Sequence, residues 1–184
     1  MPARPPLAWL MRVVALGLPA LLAACGPARN EFPPTCPRPA ILAEAADFDR
    51  YRGDGAGPHD LTQLELHGRI VGVKGSCEIP GGQSNLSVSV SVFVELTRGP
   101  AMQGRSAEVS YFVTELQGSA IIDKQSLVST VAFPQNVDRM TLQSGDLKLA
   151  LPITPEKTGA SYTILVGFQL TPAEMDANIR RLQH

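Results

Sequence analysis

Residues Leu86 to Thr97 read LSVSVSVFVELT. Leu86, Val88, Val90, Val92, Val94 and Leu96 fall at every second position, and Ser87, Ser89, Ser91, Glu95 and Thr97 occupy the positions between them. Side chains alternate across a strand, so this spacing puts six apolar groups on one face and polar groups on the other, with Phe93 the one exception. A helix would spread the same valines around its whole circumference. The segment reads as a half-buried antiparallel strand.

Outward from this segment the pattern repeats in shorter form. Leu64, Leu66, Ile70 and Val73 mark one long strand or a strand pair, with Gly68 and Gly72 read as bulges or bends. Val109, Tyr111 and Val113 alternate, as do Tyr162, Ile164, Val166, Phe168 and Leu170. Ile121 to Phe133 interleaves Ser and Thr with apolar residues. Met140, Leu142, Leu147, Leu149 and Leu151 flank a turn or bulge at Ser144-Gly145-Asp146. Turn formers separate the segments at Pro80-Gly81-Gly82, Arg98-Gly99-Pro100, Gly118-Ser119 and Pro134-Gln135-Asn136. The expectation is an all-β chain: an antiparallel β-sandwich of six to seven strands, of the immunoglobulin or fibronectin type III kind. A closed eight-stranded barrel satisfies the same alternation. No thirty-residue repeat is present, which argues against a solenoid or propeller.

The chain closes on a short helix. Thr171-Pro172-Ala173-Glu174 has the composition of a capping box with proline at the first helical position. Met175, Ile179 and Leu182 then recur at helical spacing, and Arg180 and Arg181 favour the helix dipole. An isolated helix of about 11 residues is marginal. It must dock, on its own domain or on a partner.

The 184 residues carry 16 basic and 17 acidic side chains, with 18% charged and 44% hydrophobic. There is no basic stripe, so nucleic acid is not an expected partner. No apolar run reaches the roughly 18 residues a transmembrane helix needs. The first 24 residues are distinctive. Arg4 and Arg12 are their only charges, Val13 to Leu22 reads VVALGLPALL, and Ala23-Ala24-Cys25 follows. A basic start, a short apolar stretch and small residues describe a secretory signal.

Leu22-Ala23-Ala24-Cys25 resembles the lipobox of bacterial lipoproteins. That resemblance implies a signal peptide at residues 1–24, cleavage before Cys25, and acylation of the Cys25 thiol and the new amino terminus. Two or more acyl chains anchor stably where one does not, at about 0.8 kcal/mol per buried methylene. Gly26-Pro27-Ala28 follows, with no Asp beside the cysteine, and by the enterobacterial sorting rule this implies the outer membrane, on its periplasmic side. The mature chain from Cys25 loses two arginines and no acid, leaving 14 basic against 17 acidic residues. The whole plan resembles small Gram-negative envelope lipoproteins: lipobox, proline-rich tether, cysteine pair and β domain. The tether is expected at residues 25–40, where five prolines exclude a helix or central strand, and the sandwich at 41–184.

Cys36 and Cys77 remain once Cys25 is lipidated. In an oxidising compartment two thiols most often pair, which would stabilise the fold by roughly 4 kcal/mol in the chain-entropy model. Free thiols are the alternative. A redox or metal pair has little support, since there is no C-x-x-C spacing and no histidine at ligand spacing.

Residues Ile41 to Phe48 suit a helical turn or two, and Arg50 to Asp60, RYRGDGAGPHD, suits an irregular loop. Arg52-Gly53-Asp54 resembles the integrin-binding tripeptide, but so short a match recurs by chance and the reading is a polar turn. Asp47, Asp49 and Asp54 could face a hard cation, yet Tyr51 and Arg52 stand where a calcium loop needs an oxygen ligand and glycine. His59, His67 and His184 form no ligand set. There is no G-x-S-x-G elbow and no phosphate loop. No metal or other cofactor is expected, and the chain is not expected to be an enzyme. Ser87, Ser89 and Ser91 could accept a partner strand if theirs were a sheet edge; the preferred reading is a strand that is central or covered by the tail helix.

The function expected is a lipid-anchored module that contacts proteins of an envelope complex. Its expected contact residues are Arg50, Arg52 and Asp54 of the loop, or Arg180 and Arg181 of the tail helix. The alternative is a carrier holding a lipid or small hydrophobic ligand between the sheets.

Overall fold

A computed structural model describes residues 35–53, 60–81 and 84–183. Among them are nine strands and one α-helix: β1 (Pro39–Ile41), β2 (Asp47–Tyr51), β3 (Leu64–Glu78), β4 (Asn85–Arg98), β5 (Ser106–Gln117), β6 (Ala120–Ala132), β7 (Arg139–Gln143), β8 (Leu147–Pro152), β9 (Tyr162–Phe168) and α1 (Pro172–Leu182). One sheet has the order β1-β9-β5-β6. The other runs β2-β3-β4, with β7 and β8 sharing the far edge of β4. Every pairing is antiparallel except β1 with β9. The expected all-β sandwich with a short C-terminal helix is the fold.

The six alternating apolar residues of β4 are all buried, as are Val109, Tyr111 and Val113 of β5 and Tyr162, Ile164, Val166 and Phe168 of β9. These two faces meet in one core. Phe48 of β2 closes one side of it, edge-on to Phe168 with ring centres 4.8 Å apart. The serine side of β4 lies in a central strand, paired to β3 on one side and to β7 and β8 on the other. Between β7 and β8 the chain jogs at Ser144-Gly145-Asp146 and stays tied to β4. Ser144 N–H donates to the Val92 carbonyl at 2.8 Å. Val92 N–H donates to Ser144 Oγ at 2.9 Å, and Ser91 Oγ donates to Asp146 at 2.5 Å. Side-chain oxygens thus fill in where the backbone ladder is interrupted.

The strand count exceeds the expected six to seven. The Met140–Leu151 stretch makes two strands, and β1 and β2 are short strands from the proline-rich and turn-rich segments. β1 begins at Pro39, so the expected boundary between tether and sandwich falls inside it. Proline is tolerated there because it opens an edge strand. Ile41–Phe48 contains a single 3₁₀ turn, Ala43–Ala45, and Arg50 and Tyr51 belong to β2 rather than to a loop. β3 is one strand, with its register shift between Ile70 and Gly72. Gly68 is not at a bulge: a Cβ there would drive into the Phe48 ring, so the residue is small to let that ring pack. Cys36 and Cys77 lie at disulfide distance, their Cα atoms 5.7 Å apart. The expected signal peptide, Cys25 and most of the expected tether lie outside the described residues.

Helix α1 has the expected capping box, with Thr171 Oγ1 accepting from Glu174 N–H and the Glu174 carboxylate accepting from Thr171 N–H. It docks on its own domain, against the 3₁₀ turn and β2. The one buried residue of the helix is polar. Asn178 is buried and its amide donates to the carbonyls of Glu44 at 2.9 Å and Asp47 at 2.7 Å. Ile179 and Leu182 of the apolar stripe stay 37% and 57% exposed. Removing Asn178 leaves two carbonyls without their donor, each worth about 1–3 kcal/mol when it cannot be satisfied otherwise. Asn178→Ala should lower stability by about 2 kcal/mol and open the C-terminal segment to protease, read from urea midpoints and limited digestion.

Candidate functional site

The expected contact residues separate into two groups. Arg50 projects from β2, donates from Nη1 to the Glu108 carbonyl at 3.1 Å, and lies 5.3 Å from the centre of the Phe48 ring. Arg52, just past β2, donates to the Ala101 carbonyl and stands 3.8 Å from the Glu65 carboxylate. Both arginines line one open cleft of about 370 Å³, with Glu65 from β3, Met102 and Gln103 from the β4–β5 connection and Ser106 at the start of β5.

That connection is held firmly. Gly99 N–H donates to the Glu65 carbonyl and Ala101 N–H to the Leu64 carbonyl, both at 2.9 Å. Arg98 reaches across it to the carbonyls of Gly104 at 3.1 Å and Met102 at 2.9 Å. The β4–β5 wall of the cleft is therefore held in place, and among the described residues that line it are two guanidiniums and one carboxylate, that of Glu65. Each guanidinium offers five N–H donors in a planar fork. One donor on each arginine is committed to a carbonyl. The remaining donors suit a carboxylate or another oxyanion.

Arg181 belongs to a different place. Its guanidinium meets Asp47 at 2.6 Å, Asp49 at 3.4 Å and the Asn178 side-chain oxygen. On the other side His67 Nδ1 lies 2.7 Å from Asp49, and Arg69 lies 3.9 Å from Asp47. The strands set this up, because β2 and β3 pair Asp47 opposite Arg69 and Asp49 opposite His67. Two acids on β2 are thus flanked by two bases on β3 and one on α1. The hydrogen bond from His67 is the main reason the Asp49 carboxyl sits below the usual carboxylate range. Burial opposes it, and the charges of His67, Arg181 and Arg69 add to it. Basic groups already occupy the faces of Asp47 and Asp49 that a cation would need. Among the described residues no group of three or more His, Cys, Asp or Glu is arranged to hold a metal.

Arg180 is exposed. Asp54, Cys25, His59 and His184 lie outside the described residues. Sequence reading did not find Glu65, the β4–β5 connection or the role of His67. Two spacings carry a signal for the last: Asp47-x-Asp49 and His67-x-Arg69 each put like charges on one face of a strand. Comparison with family models, with curated proteins and with solved structures finds no match to this chain.

Because folding depresses the Asp49 pKa, ionised Asp49 stabilises the fold above its unfolded value, about 3.9, and that contribution is lost as pH falls through the lower folded value. Asp49→Asn should lower the urea midpoint at pH 7 by the equivalent of about 1 kcal/mol, the scale of a partly exposed ion pair. Wild type and variant should converge as pH drops below about 4.

Proposed function

We propose that this chain is a bacterial lipoprotein, acylated at Cys25 and held on the periplasmic face of the outer membrane. Its β-sandwich serves as a protein-interaction or assembly module for an envelope complex. The leader supports the anchor: a basic start, VVALGLPALL and the lipobox-like Leu22-Ala23-Ala24-Cys25. Cys36 and Cys77 at disulfide distance suit an oxidising compartment, where a bridge would form.

The observation that carries the module is the cleft of Arg50 and Arg52. Among the described residues two guanidiniums share one recess with one carboxylate, and recognition needs such groups on a fixed scaffold. Its partner in this reading is an acidic segment of another envelope protein, gripped through its carboxylates. Labelled palmitate should enter the wild-type chain and not Cys25→Ala. Crosslinking in native membranes should join the wild-type chain to a partner, and Arg50→Glu with Arg52→Glu should cut that product at least tenfold. Absence of label, or a chain that purifies alone after crosslinking, overturns the respective half of this reading.

A second reading, a carrier of a lipid or small hydrophobic compound, draws on one observation. An open groove of about 290 Å³ lies between the sheets, and Val94, Leu96, Tyr111, Val131, Met140 and Leu142 line it. The carrier reading expects bound lipid in native mass spectra of the purified protein, and the module reading expects none.

A further inference from the structure

β6 is the last strand of its sheet and, among the described residues, pairs only with β5. An edge strand presents a row of backbone donors and acceptors to any strand that can match it. Natural edges are protected by brevity, proline, an outward lysine or a bulge. β6 is 13 residues long and contains no proline. Its one lysine, Lys124, is turned onto the sheet, with Nζ 4.5 Å from the centre of the Phe112 ring. Its one irregularity lies near the hairpin end, where Ile121 pairs with Leu116 and Asp123 with Glu115. From Lys124 to Ala132 the ladder is regular, and beyond Lys124 the sequence QSLVSTVA carries no charge. Val128, in the middle of this stretch, is 65% exposed.

We propose that β6 pairs antiparallel with β6 of a second copy of this chain, about a two-fold axis at Val128. Antiparallel pairing about a two-fold brings residues together in self-matching registers, and the charges choose among them. Registers centred on Asp123 or Lys124 set like charges face to face, which is destabilising. The register centred on Val128 uses only the regular stretch. It sets Val128 against Val128, Ser126 against Thr130 and Lys124 against Ala132. On the exposed face valine meets valine and hydroxyl meets hydroxyl, on the inner face Leu127 meets Ser129 and Gln125 meets Val131, and no charge faces a charge of either sign. The edge also borders the groove between the sheets, since Ser129, Thr130 and Val131 help to line it. A copy seated on β6 would cover that groove. The contact is isologous and closes as a dimer, leaving no further free edge of the same kind.

The test uses the full chain in detergent. Directly opposed residues of antiparallel strands lie about 4.5–5.5 Å apart at Cα, within disulfide range. Val128→Cys should give a disulfide-linked dimer on mild oxidation, well above the wild-type background. Ser126→Cys should stay at that background, because its counterpart in the second copy is about four residues away along the strand, roughly 13 Å. Val128→Lys places like charges on the axis. It should halve the protein mass measured by light scattering with the detergent contribution subtracted, while leaving the circular dichroism melt unchanged. A wild-type chain with the same mass as Val128→Lys at tens of micromolar overturns the proposal, as does equal crosslinking by the two cysteine variants. These readouts do not depend on Arg50, Arg52 or acylation, so the dimer and the proposed function can fail separately.

Discussion

The fold rests on the packing of one strand. β4 places Leu86, Val88, Val90, Val92, Val94 and Leu96 against the inner face of the opposing sheet. Each fully buried aliphatic side chain contributes about 1.5–3 kcal/mol. Because side chains alternate with period two, this face cannot move by one residue without turning all six groups to the other side. Register is therefore set at β4 and passed outward, to β3 on one side and to β7 and β8 on the other. The cost of a central strand is that its polar face must also be satisfied. The jog at Ser144-Gly145-Asp146 does this by lending side-chain oxygens to Val92 and Ser91.

The two flanks of the sandwich are finished differently. On one, Phe48, the 3₁₀ turn and α1 close the core, and the last element is bound by polar contacts. Asn178 replaces a hydrophobic anchor by satisfying two backbone carbonyls, and Arg181 joins the acids of β2. Such a face gives orientation rather than large burial, which suits a helix whose apolar stripe is left partly in solvent. The other flank has no covering element among the described residues. There β6 and the broken strand β7 and β8 end their sheets, and the groove between the sheets is open.

The placement of the arginines follows from the same geometry. Arg50 and Arg52 come together because they stand two apart at the end of β2, and because hydrogen bonds to β3 fix the β4–β5 connection opposite them. Arg181, in the last turn of α1, is drawn instead to Asp47 and Asp49. Residues of one chemical type thus play two parts: Arg181 holds the helix in place, and the other pair faces an open recess.

Much of this was legible in the residues alone. The alternation of β4, β5 and β9 specified strands and their buried faces, since period and apolarity are local properties of a sequence, whereas the choice of two packed sheets over a closed barrel was made by strand pairing. The capping box of α1 was equally local. What could not be read locally was partnership. Ser144 and Asp146 appear in sequence as an ordinary turn, and only their place beside β4 makes them part of its ladder. Gly68 resembles a bulge until the Phe48 ring is set against it. Asp47-x-Asp49 and His67-x-Arg69 show their periodicity in sequence, but the register that faces acid to base is a property of two strands brought together. The helix stripe of Met175, Ile179 and Leu182 predicts an apolar docking face, whereas in the tertiary structure the buried residue of α1 is Asn178 and the exposed Arg181 meets the acids of β2. Sequence determined which segments became strands and which face of each turned inward; tertiary structure alone decided which polar groups met, because hydrogen bonds and charge pairs act between residues that only folding makes neighbours.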